Sequence, residues 1–188
     1  MKNDSVRKLA MNGLMIALVF LATYFTRIPT FLPGGYFNLG DSIIMLASAF
    51  LGPVGGLIAG GIGSAFADLA AGAFIFAPIT LVVKGIEGLV VGLLAANHIK
   101  SNGLKQPGTR SNPANLNLVF ALAVGAIIMV VGYFFGEAFI LSLFDSAFGI
   151  VAAAGELVAN LVQGALSAIL AYLLILVLSK VGIQKYLS

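Results

Sequence analysis

The feature that most constrains this chain is a series of apolar runs, each about 17–25 residues long, that do not alternate polar with apolar. Runs of that length match helices crossing a hydrocarbon core of about 30 Å. Strands of a membrane barrel would alternate instead. Charged residues make up 9% of the chain and hydrophobic residues 60%. A water-soluble domain carries about 25% charged residues, so this chain cannot cover a surface that faces water. The expected class is an all-α integral membrane protein.

Six spans are expected in a single domain, 1–188, at about 6–26, 39–51, 54–71, 78–99, 116–136 and 155–181. Two prolines and two glycines in "RIPTFLPGGYFN" mark the first loop, Gly52-Pro53 the tight turn after the short second span, and "KSNGLKQPGTRSNPAN" a polar connection. Lys2, Arg7, Lys8, Lys100, Lys105, Arg110, Lys180 and Lys185 then fall on one side, and they are eight of the ten basic residues. The positive-inside rule makes that side cytoplasmic, so both termini of the six-transmembrane-helix bundle are cytoplasmic. The basic start before the first run reads as a retained helix, because no A-x-A cleavage site follows it.

Several functions are disfavoured by residue type. The net charge of +3 lies in flanks and loops, which suits topology rather than nucleic-acid binding. Cysteine is absent, so there is no disulfide framework and no thiolate metal site. The one histidine, His98, reads as an interfacial residue at a helix end. No HExxH, phosphate loop or metal-ligand cluster is present, and neither an enzyme nor a cofactor is expected.

What remains is small residues and buried polar ones. Gly52, Gly56, Gly60 and Ser64 recur every four residues, a spacing that lets helix backbones approach closely. Ala10, Gly13 and Ala17 give the first span a small face, suited to an internal contact or to docking another membrane protein. Ionisable groups inside a span face a partner or a cavity. Lys84 and Glu87 stand at i, i+3, about 9 Å and about 14 Å from the outer end of their span. Lys84 is expected to pair with Asp68, as a structural ion pair at the roof of a pocket; direct contact of Lys84 or Glu87 with a ligand is the other reading. Glu156, Asn160 and Gln163, at i, i+4, i+7, form one polar stripe that must face protein or water. It suits either a pocket or hydrogen bonds between helices. Tyr133 and Glu137 point to the same region, and Tyr36, Phe37 and Asn38 cap it from the first loop, with Asp41 just below. All these groups lie in the outer half. A channel would carry polar lining along its length, so a blind pocket, open outward, is expected.

At "IPTFLPGGYFNLGDSIIMLASAFLGPVGGLIAGGIGSAFADLAAG" and "APITLVVKGIEGLVVGLL" the chain resembles the substrate-binding S components of energy-coupling factor (ECF) vitamin transporters. Within them it is similar to the riboflavin branch, which includes hydroxymethylpyrimidine and pyridoxine binders. The likeness covers about residues 8–96, and spans five and six match in pattern only. It implies a substrate-capture subunit in a bacterial cell membrane that takes a vitamin at its outer face. It also implies a membrane T component and two cytoplasmic ATPases as partners, with Gly13 and Ala17 as the better-fitting part of the docking face. For the substrate-binding residues Tyr36, Phe37, Asn38, Lys84, Glu87, Tyr133, Glu137, Glu156, Asn160 and Gln163, a small, neutral, hydroxyl-bearing heteroaromatic ring is expected: pyridoxine or a hydroxymethylpyrimidine first, riboflavin next. A stand-alone secondary transporter and a ligand-free structural subunit are the alternatives.

Overall fold

The computed structural model describes residues 2–33, 35–103 and 116–181, with the backbone alone at 2–4 and 96–103. Most of the polar connection, 104–115 with Lys105 and Arg110, lies outside the described residues, as do Lys185 and the side chain of His98. Among the described residues, five helices are long and apolar enough to cross a membrane. They are α1 (Lys2–Phe25), α2 (Gly40–Ala71), α3 (Ala77–Gly103), α4 (Leu116–Phe135) and α5 (Ile150–Val181).

The second and third expected spans are two limbs of α2. Gly52 breaks the helix with φ 78° and ψ −171°, a backbone conformation open to glycine, and Pro53 follows it. A Cβ placed on Gly60 would come within 2.9 Å of Ile44 Cγ2, and one on Gly56 would strike Ser48 Oγ. In an unbroken helix residues 44 and 60 stand about 24 Å apart. The limbs therefore fold back antiparallel, pairing positions whose numbers sum to about 104. Gly72, at φ 78°, closes the second limb in the left-handed conformation, and Ala73 N–H reaches back to Asp68 O at 2.9 Å.

The second limb packs on α3 through a seam without side chains. Gly56 lies against the Gly88 backbone, a Cβ on Gly60 would meet Lys84 O at 2.5 Å, and one on Gly61 would meet Leu81 O at 2.8 Å. A Cβ on Gly92 would meet Pro53 Cα at 2.5 Å. These pairs run antiparallel, with numbers that sum to about 144. The four-residue glycine spacing is thus a helix-packing surface, and it fixes the register of α3 on α2.

Three departures concern the connections and ends of these helices. The first loop contains a small antiparallel hairpin, β1 (Ile28–Pro29) with β2 (Tyr36–Phe37), in which Ile28 faces Phe37. After α4 the helical path does not end at Gly136: a π-helical turn, Gly136–Ile140, widens it before a 3₁₀ turn, Leu141–Leu143, tightens it. α5 begins at Ile150, a turn earlier than expected, because Ala153 N–H bonds Gly149 O at 2.9 Å and closes its first turn.

The chain's direction sorts the connections. The hairpin, the turn after α2 and the 136–149 segment share one end of the bundle. Gly52, the start of α1 and the end of α5 share the other. An apolar cluster of Met45, Val91, Leu118, Leu122, Ala171 and Ile175 fills the bundle toward the Gly52 end. A second, with Leu32, Phe76, Ile79, Leu141 and Phe148, roofs the hairpin end. α1 is held by Met15 and Val19 against Ile44, Ala47 and Ala59.

Candidate functional site

Between the two clusters lies a polar layer, held together by Lys84. The glycine seam sets α3 so close to α2 that the Lys84 backbone rests on Gly60. Helical side chains lean toward the N-terminus of their helix, so Lys84 leans toward the hairpin end. There it forms an ion pair and hydrogen bond with Asp41 in the first turn of α2. Glu87 Oε2 lies 3.6 Å from Lys84 Nζ, within the expected i, i+3 pair. Lys84, Asp41 and Glu87 are at most 2% exposed. Gln163 joins the layer from α5, donating to Asp41 Oδ2 at 2.9 Å and accepting the Asn38 N–H at 2.8 Å.

The expected Asp68–Lys84 pair does not form. By the register of the seam, Asp68 stands level with Phe76, eight residues or about 12 Å above Lys84. Asp68 Oδ1 instead accepts the phenol of Tyr36 from the hairpin. Burial, and then the neighbouring Asp68 carboxylate, push the Tyr36 phenol above its usual range. Arg27 stacks on the Tyr24 ring at 4.2 Å and stands 5.5 Å from the Tyr36 ring.

Above this layer is a cleft holding about 460 Å³ of space between atoms, its open mouth included. Of the residues singled out in the sequence, Tyr36, Asn38, Lys84, Tyr133, Glu137, Glu156, Asn160 and Gln163 line it. The α5 stripe therefore faces the cleft along its length. Two others do not line it. Phe37 pairs with Ile28 in the hairpin, and Glu87 lies a turn deeper than Lys84, beside its ammonium. Thr23, Ser64, Phe76 and Thr80 also line the cleft and were missed. The signal was present, since Ser64 precedes Asp68 by four residues and Thr80 precedes Lys84 by four, the same spacing as on α5. Thr80 Oγ1 bonds Tyr133 Oη at 2.9 Å, and Lys84 Nζ lies 5.2 Å from the Tyr133 ring centroid.

The cleft is rich in unused hydrogen-bonding groups. Thr23 Oγ1, Ser64 Oγ, Asp68 Oδ2, Glu137 Oε2 and Glu156 Oε1 are buried there without a partner among the described residues. Buried polar atoms are normally paired, and an unmet one costs about 1–3 kcal/mol. Five such atoms gather around one cleft.

Ala10, Gly13 and Ala17 are exposed on α1, and a Cβ on Gly13 would meet nothing within 4 Å. Only 17% of the apolar window of α1 is buried within the bundle, so this face is open to lipid or to another protein.

An apolar bundle of helices this long, with a polar cleft toward its hairpin end, is a multi-pass membrane protein. Comparison with known proteins gives the family. Residues 3–180 match the family described as the ECF-type riboflavin transporter, S component. The chain belongs to that family of substrate-binding transporter subunits and is not an enzyme. A solved structure described as "Structure and mechanism of the S component of a bacterial ECF transporter" shares the fold, with a TM-score of 0.63 at 20% identity, over 94% of this chain and 97% of that one. An uncharacterized protein of Pyrococcus woesei is 38% identical over 115 residues, which are 61% of this chain and 68% of that protein. The UPF0397 protein YdcD of Lactococcus lactis is 35% identical over 107 residues, 56% of each chain.

Proposed function

We propose that this chain is the capture subunit of an ECF-type importer in a prokaryotic plasma membrane and binds a water-soluble vitamin in the cleft at its hairpin end. The observation that carries this reading is the set of five unpartnered buried polar atoms around one cleft. With the two limbs of α2 counted separately, the chain crosses the membrane six times. The limb 40–51 is about 18 Å long, shorter than the core it crosses. Arg7, Lys8 and Lys180 stand toward the Gly52 end, which the positive-inside rule makes cytoplasmic. The cleft then opens outward. Pyridoxine or a hydroxymethylpyrimidine is the favoured ligand, since Tyr36, Tyr133 and Phe76 offer aromatic walls beside hydrogen-bonding groups. Riboflavin, named in the family's description, comes next. Delivery runs through a T component docked on Ala10, Gly13 and Ala17 and through two ATPases.

Mass spectrometry of small molecules released from protein purified in mild detergent tests this. A stoichiometric vitamin is expected. Protein that stays empty through titration with these vitamins refutes the pocket and favours a purely structural subunit. Uptake in cells lacking the ATPases would instead make the chain a stand-alone transporter.

A further inference from the structure

A second space lies at the opposite end of the bundle from the cleft, where α1 meets the elbow of α2. It holds about 670 Å³ between atoms, its open mouth included. Its polar lining is Arg7, Lys8 and Asn12, and its apolar lining includes Met11, Leu51 and Val54. Arg7 and Met11 continue, at four-residue spacing, the face of α1 that Met15 and Val19 bury against α2. The side of α1 turned toward α2 therefore ends in a cation where an apolar residue would continue the packing. Ala10, Gly13 and Ala17 lie about 150° around the helix from it, so a protein seated on them leaves this space uncovered.

The register gives the depth. Gly55 faces Asn12, and Gly63 faces Ile16 O and Val19, so α1 runs parallel to the second limb of α2 with numbers offset by about 44. Arg7 and Lys8 are then level with the elbow at Gly52. In the orientation proposed above, that is the cytoplasmic boundary of the bilayer. Neither cation forms an ion pair with an acid among the described residues. Val54, beside them, is 63% exposed, so the space opens toward lipid. Asn12 Nδ2 donates to Lys8 O at 2.8 Å, which fixes the amide and leaves its Oδ1 buried without a partner among the described residues.

The space thus combines two positive charges, one unmet acceptor and apolar walls. A free anion uses the charges alone. A zwitterionic lipid brings a further cation beside Arg7 and Lys8. An anionic phospholipid with a hydroxyl-bearing headgroup uses all three features, and basic pockets between helices on the cytoplasmic side suit such headgroups. We propose that the space between α1 and the α2 elbow is a specific site for one anionic phospholipid, phosphatidylglycerol in kind. Arg7 and Lys8 hold its phosphate, Asn12 Oδ1 accepts a headgroup hydroxyl, and an acyl chain lies on Met11, Leu51 and Val54. The site is separate from the cleft and stands or falls without it.

The test uses the full chain, delipidated in mild detergent and mixed with phosphatidylglycerol and phosphatidylethanolamine of the same acyl chains. Bound lipid is counted by native mass spectrometry. One phosphatidylglycerol per chain is expected, retained at least about tenfold better than phosphatidylethanolamine. Arg7→Gln/Lys8→Gln should erase that preference while the lipid-free melting temperature stays unchanged. Arg7→Lys/Lys8→Arg, which keeps both charges, should retain it, as should Lys180→Gln/Lys185→Gln, which removes as much charge from the same side. Equal retention of the two lipids, or a preference that survives Arg7→Gln/Lys8→Gln, overturns the inference. Equal loss in both Gln pairs also overturns it, and means diffuse surface charge. Displacement of the lipid by millimolar inorganic phosphate overturns the lipid as occupant in favour of a free anion. Loss of the lipid from chain that co-purifies with ATPases overturns it in favour of a protein partner.

Discussion

Replacing Lys84 by Met tests whether the charged layer holds the bundle together. Methionine is unbranched and close to lysine in length, so it fills the same channel beside the Tyr133 ring and removes chiefly the charge. Two carboxyls lose their cation. Asp41 keeps the 2.9 Å hydrogen bond from Gln163, whereas both oxygens of Glu87 lack a hydrogen-bond partner among the described residues and have Lys84 as their neighbouring cation. Removing one partner of a buried ion pair costs about 3–5 kcal/mol. For a chain of this size each kcal/mol moves the melting temperature by about 2–4 °C, so Lys84→Met should lower it by about 6–20 °C. The assay is the monodisperse fraction left after heating in detergent, read by size-exclusion chromatography. The triple variant Asp41→Asn, Lys84→Met, Glu87→Gln should recover most of the loss, because an ionic set replaced whole is often neutral or stabilising. A melting point within about 2 °C of wild type in the single variant would refute the reasoning. A triple variant as unstable as the single one would assign the loss to packing rather than charge.

Three further outcomes are expected. Gly88→Val drives a side chain into the Gly56 backbone and should cost about 3 kcal/mol or more, whereas Gly85→Ala, whose Cβ finds its nearest atom at 3.6 Å, should melt like wild type; equal melting of the two would remove the seam from the argument. Because the Tyr36 phenol is raised above its ordinary value of 10.0, the folded chain holds that proton after the unfolded chain has lost it, so stability falls as pH rises beyond about 10. Absorbance titration should find the tyrosinate signal near pH 10 unchanged in Tyr36→Phe, and a smaller signal there would show that Tyr36 titrates normally. Gly13→Leu adds a side chain where nothing lies within 4 Å, so folding and ligand binding should persist while co-purification with a T component and ATPases is lost; an intact complex would move the docking face elsewhere.

The helices and the seam were readable in advance because both are periodic: apolar runs set the spans, and the four-residue glycine spacing set a packing face. The α5 stripe was readable for the same reason. The Lys84 partner was not. Its identity depends on the register between α2 and α3, and depth counted from approximate helix ends put Asp68 within reach of Lys84. Only the backbone contacts of Gly56 and Gly60 place Asp68 some two turns from Lys84. Tyr36 bonding Asp68 was hidden too, because two-residue strands in a Pro/Gly loop leave no pattern of their own.

The seam also has a consequence for how the proposed binding site can be remodelled. Two helices in backbone contact have no side chains to trim or enlarge at their junction, so the α2–α3 wall of the cleft has no adjustable spacing. The opposite wall meets its neighbours through side chains, with Gly164 of α5 resting on Ala126 and Met129 of α4. A molecule of different girth would therefore be accommodated by displacement of α5. Attempts to redirect the protein to a new cargo should begin with substitutions at Glu156 and Asn160 and leave Lys84 and its glycine neighbours alone.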